Sequence, residues 1–174
     1  MTLDTSRRPN APVRPWVRML ARWLDVAVWF LLAGTLRLLL EPILPAVPAL
    51  LLFLIVLFLY NFVEALSLAV YGTTFGKWLL KVRIRTSTGD RLSFGLALRR
   101  SLSVWLKGLA AGVPVLIPFA LAAAHWRLAE NGATDWDREG NLQVHHGRIG
   151  VWRAAAATLL LAGWTFMTVR GLVI

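Results

Sequence analysis

PALLLFLIVLFLYNFVEALSLAV, Pro48 to Val70, is the stretch on which the fold class turns. It runs unbroken in apolar side chains from Ala49 to Leu59, and a helix needs about twenty mostly apolar residues to cross the roughly 30 Å hydrocarbon layer of a bilayer. Outward from this clearest span, three more stretches approach the same length. The first runs from about Trp23 to Leu40, after a helical lead-in that Pro15 starts at its first turn. The third, about Leu102 to Ala124, lies between Trp105 and Trp126 and is interrupted by Gly108, Gly112, Pro114 and Pro118. The fourth, Val151 to Ile174, opens with Trp152 and Arg153 and carries Arg170 near its end. The expected architecture is therefore an all-α membrane protein, a bundle of about four transmembrane helices.

Composition agrees. Of 174 residues 57% are hydrophobic and only 16% charged, with a mean hydropathy of +0.62, which excludes most soluble classes. Nineteen Lys and Arg against nine Asp and Glu give a formal charge of +10; in so apolar a chain this reads as a membrane-side signal and not as a nucleic-acid footprint. The lack of cysteine excludes disulfides, thiolate metal sites and a Cys nucleophile. Nine Trp suit a chain with bilayer interfaces. The opening MTLDTSRRPNAPVRP lacks the pattern of a cleaved secretory signal, so the first hydrophobic segment is expected to be retained. No internal repeat is legible.

Lys and Arg in the short connections set orientation. Arg7, Arg8, Arg14, Arg18 and Arg22 precede or enter the first span, whereas Glu41 to Pro48 holds no basic residue. The next connection holds Lys77, Lys81, Arg83, Arg85, Arg91, Arg99 and Arg100. The N-terminus and this connection are expected to be cytoplasmic, in what would be a bacterial plasma membrane. The segment His125 to Val151 is balanced in charge. It lies outside if the third segment spans, and inside if Pro114 and Pro118 fold that segment into a re-entrant hairpin, which would put the C-terminus outside. Within the basic connection, KWLLKVRIRT turns from helical character to the alternation Val82, Ile84 against Arg83, Arg85, a short amphipathic strand or helix end. Ser87 to Asp90 is a turn cluster. Phe94, Leu98 and Leu102 share one helical face, predicting an amphipathic helix on the membrane surface.

Polar side chains inside the spans carry the chemical information, because charge in a bilayer is costly and faces a partner, a cavity or the interface. Arg18, Arg22 and Asp25 lie along one helix face, and the simplest reading of Asp25 is a local ion pair with Arg22. Glu64 falls in the same half of the bilayer, so the two carboxylates could meet; Tyr60 and Asn61, four and three residues earlier, could hydrogen-bond it. Arg37 and Glu41 form an i,i+4 pair at the outer end of the first span. GTTFGK, Gly72 to Lys77, fails as a phosphate-binding loop, with too few residues between its glycines and Trp78 where Ser or Thr would bind magnesium. Its structural reading is a helix stop and tight turn at Gly72 and Gly76 with Lys77 among the headgroups. His145 and His146 with Asp135 and Asp137 make a weak metal signal.

These motifs resemble one family. Arg18, Ala21 and Asp25 fit the R-x-x-A-x-x-x-D opening of the RDD family of membrane proteins, and Gly72, Thr74, Gly76 and Lys77 fit its G-x-T-x-G-K segment. Val82, the Gly89 turn, Arg99 or Arg100, and Trp136 with Asp137 resemble its continuation to a final aspartate. REGNLQVHH departs from the G-T-x-V that usually follows. The resemblance divides the chain into a disordered cytoplasmic N-terminus (1–14), an RDD-like transmembrane domain (15–145) and an additional C-terminal transmembrane helix (146–174). It implies a membrane bundle with a poorly defined activity: some relatives are linked to cation/proton antiport, others to membrane assemblies. Two functions follow as expectations. One is monovalent cation/proton exchange at an ion or proton site formed by Arg18, Asp25, Glu64 and Asp137. The other is a non-catalytic scaffold or assembly factor that binds anionic lipid headgroups, or a partner membrane protein or second copy. Neither an enzyme's nucleophile and base pair, nor a metal cluster, nor a cofactor loop is legible.

Overall fold

A computed structural model describes residues 14–40, 47–113, 115–131 and 134–170. The expectations for 1–13, for Glu41 as partner of Arg37, for the loop at 41–46 and for Pro114 fall outside these residues. The first helix, α1 (Pro15–Leu40), and the second, α2 (Ala49–Tyr71), are, among the described residues, the two candidate membrane spans by length and apolar composition alone. They run antiparallel, and Trp29 on α1 donates its indole N–H to the Val56 carbonyl of α2 at 2.7 Å. Their outward faces leave Leu32, Leu38, Leu50 and Leu59 exposed. Such a belt of apolar side chains on a helix pair marks a lipid-facing surface.

Gly72 ends α2 in the left-handed conformation (φ 68), its N–H returning to the Leu68 carbonyl. A Cβ here would strike the Arg85 guanidinium, so both the torsion and the space require glycine. The five-residue helix α3 (Phe75–Leu79) and strand β1 (Val82–Thr86) follow, so the period-2 alternation is a strand. Helix α4 (Phe94–Ser103) starts at Ser93, whose hydroxyl accepts the Leu96 N–H. Phe94 is exposed, and Ala97, Arg100 and Ser101 are buried against α2; the small Ala97 and Ser101 let the two helices pack closely.

The third hydrophobic segment is not one helix. A π-turn at Val104–Gly108 and a 3₁₀ turn at Ala110–Gly112 bring the chain to Leu54 and Leu57 of α2. There Ala110, Ala111 and Gly112 all have positive φ, a conformation that costs L-residues roughly 1–2 kcal/mol each. Helix α5 (Ile117–Asn131) then returns beside α1, with Trp16 of α1 and His125 of α5 4.8 Å apart between ring centres. Helix α6 (Asp135–Glu139), strand β2 (Leu142–His146) and helix α7 (Val151–Val169) complete the chain. Helix α7 packs along α1 through Ala157 and Trp164 and is tied to α3 by Arg153, which donates to the Trp78 carbonyl at 2.7 Å.

Strands β1 and β2 pair antiparallel, Val82 opposite His146 and Thr86 opposite Leu142, which holds both connections at one end of the bundle. Val82 and Ile84 point inward onto Leu24, Leu68 and Leu79. A correspondence invisible in composition appears here. Thr74 precedes α3 and Thr134 precedes α6; Lys81 and Asn141, both left-handed (φ 57 and 49), precede β1 and β2. Each residue of the second unit is numbered sixty above its counterpart, and the central ladder pair, Ile84 opposite Val144, is itself such a pair. That is the register a local two-fold axis between the strands requires. The expectation of no internal repeat is thereby corrected; the sequence hides it because Phe75-Gly76-Lys77 faces Asp135-Trp136-Asp137 with inverted charge.

Candidate functional site

The 18, 22, 25 spacing on α1 does present three charges toward the bundle interior, but not to one another. Arg18 Nη1 donates to Asp137 Oδ2 of α6 at 3.0 Å, and Arg22 pairs with Glu64 of α2. The local Arg22–Asp25 ion pair does not form. Asp25 accepts instead from the Thr74 hydroxyl, from the Gly76 backbone N–H at 2.6 Å and from Lys77 Nζ at 3.1 Å. Its partners lie about fifty residues away, so the α1 stripe is a docking strip for α3 and α6.

Lys77 is the centre of the site. It is 6% exposed, not among headgroups, and reaches Asp25 and Glu64, the latter at 2.9 Å. The two carboxylates do meet, through this ammonium. Arg100 of α4 closes the network, with Nε donating to Asp137 Oδ1 at 2.9 Å and Nη1 3.7 Å from Glu64. Thr134 donates to Asp137 at 2.8 Å, as Thr74 does to Asp25. Tyr60 and Asn61 do not serve Glu64. Asn61 donates to the Leu57 and Phe58 carbonyls of its own helix, and the Tyr60 ring lies under Arg22, 5.3 Å from its guanidinium carbon. The full set is four cations, Arg18, Arg22, Lys77 and Arg100, around three carboxylates, Asp25, Glu64 and Asp137, none more than 5% exposed. Ions taken out of water cost several kcal/mol each, recovered only where every lone pair finds a donor, and here each carboxylate has at least two cationic or hydroxyl partners.

The G-x-T-x-G-K segment now has a physical account. Gly72 supplies the left-handed cap, Thr74 the hydroxyl and Lys77 the charge. Gly76 is not a turn residue but the second of α3. A Cβ on it would lie 2.3 Å from the Ala21 carbonyl oxygen and 2.9 Å from Leu24 Cβ, so only glycine lets α3 sit on α1. The first and last family aspartates, Asp25 and Asp137, are the two the threonines hold. Arg22, Arg100, Thr74 and Thr134 were not legible as one site, because the charges of the network come from five helices, α1, α2, α3, α4 and α6; charge at interior helix positions was the available signal.

Below the network, among α1, α2, α5 and α7, lies a cavity of about 440 Å³. Its walls are apolar side chains such as Phe30, Leu57 and Leu121, and its charged end is lined by Arg18, Arg22, Lys77 and Arg100 together with the carboxylates Glu64 and Asp137. Outside the spans, His146 at the end of β2 is pushed down to about 4 by burial and by the nearby cations Arg18 and Arg14. The weak metal signal around His145 does not assemble: Asp137 is spent on arginines, Asp135 pairs with Arg127, and no metal-holding group exists among the described residues.

Long apolar helices around an interior ion network, with a strand ribbon at one end, define an integral membrane protein. It belongs to the RDD family, whose family model matches residues 12–138. No curated protein and no solved structure matched it.

Proposed function

We propose that this RDD protein is a non-catalytic membrane scaffold or assembly protein, with its N-terminus, ribbon and α3 on the cytoplasmic face. The observation that carries this reading is the saturation of the three carboxylates. An exchanger needs a carboxylate that a proton and a cation can both claim. Here Asp25, Glu64 and Asp137 are already held by four fixed cations, which repel a fifth. In this reading α1 and α2 cross the bilayer, the shorter α7, 19 residues packed along α1, crosses beside them, and α4 and α5 form a re-entrant hairpin; the β1–β2 pairing supports this by keeping both connections at one end. The C-terminus is then outside. Exposed Lys81, Arg83, Arg91, Arg99 and Arg148 sit at that ribbon end, where each basic residue gains about 1 kcal/mol from an anionic leaflet. Anionic headgroups, and a second copy or another membrane protein on the apolar faces, are the partners of this reading.

Monovalent cation/proton exchange draws support from one other observation, the two corresponding units meeting around buried charge, a construction common in secondary transporters. A flux assay separates the two. Folded wild-type protein in liposomes should give no pH-coupled sodium, lithium or potassium movement above empty vesicles. Coupled flux that Asp25→Asn abolishes without unfolding the protein would overturn the scaffold reading.

A further inference from the structure

We infer that the cavity among α1, α2, α5 and α7 is a binding site for a single-chain acyl anion, its head at Arg18 and Arg22 and its chain against Phe30, Leu57 and Leu121. Three observations converge. The cavity's volume of about 440 Å³ lies within the roughly 300–1,000 Å³ of single-ligand pockets. Its wall is apolar over the stretch of α1 from Arg22 to Phe30, roughly 12 Å of helix rise, so a hydrocarbon chain can lie along it without leaving a polar group unpaired. Its charged end has donors to spare. Arg18 Nε, Arg22 Nε and Arg22 Nη2 are buried without a partner among the described residues, and the cations beside them outnumber the carboxylates. A buried guanidinium N–H with no acceptor is costly, and a carboxylate or phosphate oxygen is the acceptor that charge and geometry favour. A cationic or zwitterionic head would add to the excess charge, and a neutral one would leave it uncompensated. The inference does not depend on which reading of the protein's function holds.

The test is native mass spectrometry of the full chain released from detergent, titrated with palmitate, hexadecyl phosphate, hexadecanol or inorganic phosphate. One molecule of an anionic amphiphile per chain should be retained, with hexadecanol weaker by roughly tenfold or more, the worth of one charge-assisted hydrogen bond; inorganic phosphate should not be retained. Retention of palmitate alone assigns a carboxylate head, and of hexadecyl phosphate alone a phosphate head. Arg22→Lys, which keeps a cation for Glu64 but removes the spare N–H groups, should weaken retention by a similar factor. Leu121→Trp, which fills the chain region beside Phe30 and Leu57, should abolish it while leaving thermal stability near wild type. Retention of hexadecanol as strong as that of the anions, binding unchanged in Leu121→Trp, or no stoichiometric retention of either anion would each overturn the inference.

Discussion

Gly76→Ala isolates the contact between α1 and α3. In an ordinary helix this change stabilises by about 0.5–1 kcal/mol, because alanine loses less backbone entropy than glycine. Here the added Cβ lies 2.3 Å from the Ala21 carbonyl oxygen, whereas ordinary contact begins at 3.4 Å, so α3 must retreat by about an ångström. The Gly76 N–H to Asp25 bond, now 2.6 Å, then stretches past hydrogen-bond reach. Overpacking against backbone costs about 1–3 kcal/mol, and loss of a hydrogen bond to a charged group about 1.5–3 kcal/mol. Set against the helix gain, the net loss is roughly 2–5 kcal/mol. Denaturant or thermal unfolding in detergent micelles measures it, with Gly95→Ala as control: that glycine lies in α4 with nothing within 4 Å of the added carbon, and its variant should be as stable as wild type or more so. Should Gly76→Ala match or exceed the wild type, the close approach of α3 to α1 is refuted.

Asp137→Asn strands Arg18 and weakens the hold on Arg100. Breaking such a buried pair costs about 3–5 kcal/mol, toward the low end since Arg18 keeps some solvent contact; adding Arg18→Gln should recover part of the loss, measured as a double-mutant cycle. Lys77→Met leaves Asp25 and Glu64 facing each other without the ammonium between them, and expression of folded protein should fall well below that of the Lys77→Met/Asp25→Asn pair. Single cysteines at Arg91 and Gln143 of this cysteine-free chain should react with an impermeant reagent from the same side of the membrane, since the ribbon ties both connections together; opposite sidedness would break the ribbon topology. His146 is lowered to about 4 in the folded protein from an ordinary 6.5, so the unfolded chain binds the extra proton between those values. Its contribution to stability is therefore intact above about pH 6.5 and lost as pH falls toward 4. His146→Gln should flatten that part of the pH profile, with a shallow slope because the ring is partly solvated.

The spans α1 and α2 were legible because apolar length is a one-dimensional property, whereas the two-residue period of β1 was too short to separate a strand from a helix end. The course of the chain from α4 to α5 was legible only as two alternatives, since Gly108, Gly112 and Pro118 announce a break without saying which way the chain leaves it. Of the four expected site residues, Arg18, Asp25 and Glu64 were found by asking which charges the bilayer would penalise, and Asp137 by its likeness to the family's final aspartate. Their pairing was not legible. Helical spacing suggested Arg22 for Asp25, whereas tertiary packing gave Asp25 to Lys77. Lys77 itself was misplaced among headgroups because a lysine beside a span end ordinarily snorkels, and only the missing Cβ of Gly76 brings it inward.

The reach of the network along the chain also sets a schedule for biogenesis. Arg18 and its carboxylate Asp137 are 119 residues apart, and synthesis proceeds at about 5–20 residues per second, so Arg18 emerges roughly 6 to 24 s before its partner exists. Throughout that interval α1 has entered the insertion machinery with an arginine whose final counter-charge has not been made. With the proposed cytoplasmic N-terminus, the five arginines ahead of and within the start of α1 act first as a retention signal, and only later do two of them, Arg22 with Glu64 and then Arg18 with Asp137, become structural ions. Completion of the ion network is an end-of-chain event, and a nascent chain stalled before α6 would hold α1, α2 and α3 in place with Arg18 still waiting.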